Sequence, residues 1–162
     1  LDIAQWGNGS DRTGPVEVEG RGEFPPADGL WNVILGFELH YRYANGVELF
    51  YCNAGRGSAS KQVHVRFEGT EGWVCAWYGP DRLEAEPKST LTAEVKPDAF
   101  PFPLENEKRN FLNCVKTRAP TLADAEVGHR SSSVAQLGYN PRLISGTSSK
   151  CTGRLRRMAK TG

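Results

Sequence analysis

The sequence predicts an α+β domain, an open antiparallel β-sheet with helices packed on one face. Three observations carry this. Stretches in which apolar and polar residues alternate with a period of two recur over residues 15–86, enough for about five or six antiparallel strands. The period changes to that of a helix over residues 104–138. Strands first and helices afterwards is the order expected when helices cover an antiparallel sheet, not when they alternate with parallel strands.

Leu1–Trp6 reads as the end of an amphipathic helix, and Gly7-Asn8-Gly9 stops it, because glycine takes the positive φ that a helix stop often needs. Val16–Glu19 alternates as a half-buried strand, and "FPPADGLW" follows with turn chemistry. Phe37, Leu39, Tyr41 and Tyr43 then point one way, with Glu38, His40 and Arg42 opposite. Asn45-Gly46 predicts a tight hairpin, since both residues tolerate φ > 0, and Val47, Leu49 and Tyr51 resume the alternation. Val63, Val65 and Phe67 repeat it against His64, Arg66 and Glu68. "EGTEG" turns the chain into Trp73–Tyr78, and "GPD" into Arg82–Ala85.

Past the connector "DAFPFP", Leu104, Phe111, Leu112 and Val115 recur at helical spacing, predicting a helix over Leu104–Thr117. Thr121-Leu122-Ala123-Asp124 resembles a capping box, opening a second helix through Val127, Val134 and Leu137 to about Gly138. Ser131 on that stripe is small enough for another element to approach closely. No internal repeat is present.

Charge is divided unevenly. Residues 1–139 carry nineteen acids against fourteen bases, net −5, whereas residues 140–162 carry six bases and no acid, net +6. The basic stretch holds no aromatic residue to stack on bases, so a solvated, disordered tail is expected rather than a nucleic-acid contact. No run approaches the ~18 apolar residues of a membrane span, so no membrane partner is expected. Cys52, Cys75, Cys114 and Cys151 contain no Cys-x-x-Cys pair, which argues against a zinc ribbon or redox dithiol. Cys75 and Cys114 read as small buried hydrophobes. A reducing compartment fits, and a cytoplasmic setting is favoured over a periplasmic one.

Few residues stand in a pattern that carries chemistry. Gly20-Arg21-Gly22 and Gly55-Arg56-Gly57 lack the third glycine of a dinucleotide loop and lie between strands, so turns are the better reading. His40, His64 and His129 have no metal-ligand spacing. No Gly-x-Ser-x-Gly elbow exists, and "HRSSS" sits on a helix. Glu105, Glu107, Asp124 and Glu126 are explained as acids at helix starts. Trp6, Trp31, Trp73 and Trp77 suit core positions better than a sugar-binding platform.

Four segments in order resemble the C-terminal half of the Gfo/Idh/MocA family of oxidoreductases, of the bacterial type: "LDIAQWGNG…GPVEVEG", "ELHYRYANGVEL", "VRFEGTEGWV" and "NFLNCVKTRAPTLADAEVGHRSSSVAQLGY". The resemblance covers residues 1–139 and departs from the pattern after Tyr139, where Pro141 blocks helix continuation. It implies that an N-terminal Rossmann domain holding NAD or NADP precedes Leu1, and that residues 140–162 follow a reading-frame slip or artificial junction. It further implies hydride transfer to or from a sugar or polyol, with the general acid–base groups outside this chain. Here the chain supplies a wall of the substrate pocket and a sheet through which subunits form a homo-oligomer. Asp2, His129 and Arg130 match motif positions and are the substrate-binding candidates. No catalytic, cofactor-binding or metal-binding residue is assigned. Two alternatives stand beside this: an NAD-dependent glycosidase of the same superfamily, and a non-enzymatic carbohydrate-binding or scaffold domain.

Overall fold

The structure, a computed structural model, describes residues 1–53, 64–78, 82–94, 96 and 105–139, and the backbone of 154–157. Residue 63, the connector over 98–103, Leu104, Gly55-Arg56-Gly57 and Cys151, all used above, lie outside the described residues.

The fold is α+β. Its strands are β1 (Glu17–Glu23), β2 (Gly36–Arg42), β3 (Val47–Cys52), β4 (His64–Gly69), β5 (Gly72–Trp77), β6 (Arg82–Glu86) and β7 (Arg154–Arg157). They form one sheet in the order β1-β2-β3-β7-β4-β5-β6. β1-β2-β3 and β4-β5-β6 are antiparallel triplets of consecutive strands. β7 joins them, antiparallel to β3 and parallel to β4. Residues 154–157 thus lie within the sheet. β3 and β4 each present a row of unpaired backbone groups, and a strand between them satisfies both rows.

The helices are α1 (Asp2–Gly7), α2 (Glu107–Thr117) and α3 (Ala125–Gly138). The core lies between one face of β2 and β3 and the helices α1 and α3. Phe37, Leu39, Tyr41, Tyr43, Val47 and Leu49 are buried there against Ala4 of α1 and Val134 of α3. Alternation explains the strand residues, since every second side chain points to the same face. The close approach of α3 depends on Gly138. A Cβ at that position would stand 2.3 Å from Leu39 Cδ1 and 2.4 Å from Tyr41 Oη. The Tyr41 hydroxyl donates to the Val134 carbonyl at 3.0 Å, fixing the helix to the sheet.

A buried polar knot anchors α1. Gln5 donates through Nε2 to the Ser10 and Thr13 carbonyls, and its Oε1 accepts from Ser10 Oγ (2.8 Å) and Tyr43 Oη (2.7 Å). Gln5, Ser10 and Tyr43 are buried, so their pairing avoids the cost of stranded buried dipoles.

Several elements differ in detail from the sequence reading. β1 runs straight through Gly20-Arg21-Gly22, which is no turn. Gly20 presses against β2, where a Cβ would meet Glu38 O at 2.8 Å, so the glycine serves close strand approach. The hairpin at Asn45-Gly46 has positive φ only at Gly46 (79°). Gly46 N–H donates to Tyr43 O, and Tyr43 N–H to Val47 O. This is a longer loop with one left-handed residue, a common solution when a glycine alone absorbs the twist.

The α3 cap also shifts. Asp124 is the N-cap itself and accepts from Val127 N at 3.0 Å, while Thr121 Oγ1 donates to Ala123 O. The cap of α2 is Asn106, accepting from Lys108 N and Arg109 N. No residue of α2 is buried, and Phe111, Leu112 and Val115 are all about half exposed. Its amphipathic spacing is real, but the stripe is not part of the core. Trp6 and Trp31 are exposed rather than core, and Cys114 is only half-buried, its thiol facing Pro120 O at 3.3 Å. Cys75 is buried as expected.

Candidate functional site

Asp2, His129 and Arg130 belong to the two helices on the covered side of the sheet. Asp2 opens α1, where a carboxylate suits the positive end of the helix. Its Oδ1 accepts a short hydrogen bond from Ser131 Oγ of α3 at 2.6 Å. The small side chain at 131 thus provides the close approach its size allows. Arg130 is turned back along its own helix, with Nε donating to Glu126 Oε1 at 2.7 Å. His129 is exposed on α3. The structure therefore joins Asp2 to the residue beside Arg130 and sets His129 at the surface nearby in sequence. The side-chain partners of Asp2 and Arg130 are Ser131 and Glu126, not another of the three candidates.

A second tie holds this region. The loop after α1 sends Arg12 to the α3 cap, and Arg12 Nη2 lies 2.6 Å from Asp124 Oδ2. The Asp124 carboxyl is held below its usual range, first by the Val127 N–H and then by Arg12.

The opposite face of the sheet carries the charged residues. On β1-β2-β3 the register aligns Glu19 with His40 and Phe50, and Glu17 with Arg42 and Glu48. His40 Nδ1 stands 3.0 Å from Glu19 Oε1, and His40 Nε2 stands 3.4 Å from Glu48 Oε1 without an aligned hydrogen bond. The imidazole stacks on Phe50 with ring centres 4.3 Å apart. Arg42 reaches Glu17 at 2.6 Å and Glu48 at 3.5 Å. Glu19 is held below its usual range, chiefly by the His40 hydrogen bond.

On β4-β5-β6, the Arg66 guanidinium lies 4.1 Å over the Trp73 ring and pairs with Glu68 at 2.9 Å. Arg82 pairs with Glu84 and lies 5.0 Å over Trp77, whose Nε1 donates to Glu84 Oε2. Trp73 and Trp77 thus form part of this face as cation platforms, not as core. Cys75 sits beneath these side chains, and burial pushes its thiol up, away from reactivity.

Sequence alternation located His40, Arg42, His64, Arg66, Glu38 and Glu68 on this face. It did not single out Glu19, Glu48, Arg82 and Glu84, whose roles appear only once strand register is fixed. The same holds for the Gln5–Ser10–Tyr43 knot.

An open cleft of about 680 Å³ lies at one end of the sheet, lined by residues including Asn8, Asn45, Phe67, Glu71, Val74 and Thr90. No group of His, Cys, Asp and Glu among the described residues is arranged to hold a metal ion. No helix among them is long and apolar enough to cross a membrane. Of the two Gly-x-Gly stretches among the described residues, Gly7-Asn8-Gly9 closes α1 and Gly20-Arg21-Gly22 lies inside β1 against β2, so neither leads from a strand into the start of a helix. No family model matches the chain, and no curated protein or solved structure is found to be similar to it.

Proposed function

We propose that this chain is the substrate-side and assembly module of an NAD(P)-dependent oxidoreductase of the Gfo/Idh/MocA type, acting on a sugar or polyol. The dinucleotide is held by a separate Rossmann domain. The observation that supports this reading most is the hydrogen bond between Asp2 and Ser131. It joins the first and last of the four segments that carry the resemblance, on the side of the sheet covered by helices. In this reading α1 and α3 present Asp2, His129 and Arg130 toward the substrate, as acceptor and donors for its hydroxyl groups. The charged face of the sheet serves homo-oligomer formation.

The test is an NMR titration of the labelled chain with a panel of sugars and polyols, then with NAD and NADP. The expected result is weak polyol binding that shifts the amides of Asp2 and His129–Ser131, with no response to either nucleotide. Micromolar nucleotide binding would overturn the proposal. So would sugar binding confined to the exposed Trp31 loop, which would favour a free-standing carbohydrate-binding domain.

A further inference from the structure

We infer that Asn45-Gly46, at the tip of the β2–β3 hairpin, is a site of spontaneous deamidation that Asn8 holds in check. The chain contains two Asn-Gly dipeptides, Asn8-Gly9 and Asn45-Gly46. The fold brings them together, with Asn45 Nδ2 donating to Asn8 Oδ1 at 2.8 Å. A glycine after asparagine leaves the next backbone nitrogen unshielded and its φ free, which lowers the barrier to ring closure.

The chemistry needs only water and a mild base. The Gly46 amide gives up its proton to solvent, and its nitrogen bonds to Asn45 Cγ. The Cγ–Nδ2 bond breaks, and the side-chain nitrogen leaves as ammonia, having taken up protons from solvent. Water then opens the resulting succinimide at either carbonyl, giving aspartate or isoaspartate.

The two sites are not equally exposed to this reaction. Asn8 is half-buried, and its side chain is held at both ends, accepting from Asn45 and donating through Nδ2 to Ser10 Oγ. Its ψ of −8° is far from the value that lets Cβ eclipse the following nitrogen for ring closure. Gly9 N–H donates to Trp6 O and Gly46 N–H to Tyr43 O, so the backbone bond does not separate the two sites and exposure does. Asn45 and Gly46 are both exposed at a hairpin tip, where local opening costs least. Two contacts restrain the Asn45 side chain, the Val47 N–H at 3.2 Å and Asn8. The contact to Asn8 engages Nδ2, the leaving nitrogen.

Reaction at Asn45 has structural consequences. A carboxylate has no N–H to offer Asn8, so the hairpin tip loses its tie to the end of α1. The new charge stands on the lip of the cleft, whose rim already carries Glu68 and Glu71.

Incubation of the folded chain in mildly alkaline buffer, followed by tryptic mass spectrometry, tests this. Asn8 falls in peptide Leu1–Arg12 and Asn45 in Tyr43–Arg56. A gain of about 1 Da, replacement of an amide NH₂ by OH, is expected first in Tyr43–Arg56, with fragmentation placing it on Asn45 and not Asn53. Asn8→Ala should speed it severalfold, whereas Asn8→Asp, which keeps an acceptor for Nδ2, should leave it near the wild-type rate. Both variants are checked for folding by amide exchange. The inference is overturned if Leu1–Arg12 gains mass as fast, if neither peptide does, or if a folded Asn8→Ala variant shows no acceleration. Should Asn8→Ala not fold, the wild-type order of the two peptides decides alone.

Discussion

Two glycines of α3 make a matched pair for measuring how tightly that helix sits on the sheet. An alanine at Gly128 meets nothing within 4 Å. Gly128→Ala should therefore stabilise by about 0.5–1 kcal/mol, through better helix propensity and a less free unfolded chain. At Gly138 the same methyl falls 2.3 Å from Leu39 Cδ1 and 2.4 Å from Tyr41 Oη. Leu39 and Tyr41 are 4% and 0% exposed, so neither can swing into solvent. Overpacking of this kind costs about 1–3 kcal/mol. Displacing the Tyr41 hydroxyl from the Val134 carbonyl removes about 1 kcal/mol more. Against a helix-propensity gain of at most about 1 kcal/mol, Gly138→Ala is expected to lose roughly 1–3 kcal/mol net. Urea unfolding followed by circular dichroism measures both variants, which should part by a midpoint shift on the order of 1 M. Tyr41→Phe removes the clashing oxygen, so the double variant with Gly138→Ala should lose less than the sum of the singles. A Gly138→Ala protein as stable as wild type, or strict additivity in the double variant, would refute the close-packed α3.

Three further outcomes are expected. Gln5→Leu keeps the volume but strands Tyr43 Oη in a buried site, and should cost about 1–3 kcal/mol in denaturant unfolding; Gln5→Leu with Tyr43→Phe should recover part of it. Burial pushes the Tyr43 phenol up to about 12 and raises Tyr41 further. Stability from both is complete below the unfolded tyrosine value of about 10 and is lost as pH rises through the folded values. Alkaline unfolding should thus coincide with tyrosinate absorbance, and Tyr43→Phe should weaken that pH dependence. The lowered Asp124 acts at the other end of the scale. Its contribution is present above the unfolded aspartate value and disappears as pH falls through the folded one. Amide exchange at Val127 should accelerate in that acid window and should already be fast at neutral pH in Asp124→Ala.

Much of the architecture was legible in the order of residues because period-two and helical patterns are local properties. Alternation over Phe37–Tyr43 and Val47–Tyr51 correctly placed Tyr41, Leu39 and Leu49 on the buried face. The same alternation placed His40 and Arg66 on the charged one. Helical spacing found α2 and α3, but spacing reports only that a stripe exists. Whether anything covers it depends on a neighbour, and Phe111 and Leu112 remain half exposed. Trp31 was misjudged for a related reason, since a large apolar residue in a turn-rich stretch carries no periodic signal.

The sequence by itself determined the α+β class, the hairpin at Asn45-Gly46 and the small residue at 131, because these rest on backbone preference and side-chain size. Tertiary structure alone decided that Asp124 caps α3 and Thr121 does not, and that Gly20 serves strand contact. It also decided that Arg154–Arg157 fills the gap between β3 and β4 and that Asn8 meets Asn45. Each of these is a pairing between groups distant along the chain. Such a pairing is set by which backbone rows and side chains remain unsatisfied once the sheet has formed, and no local pattern records it.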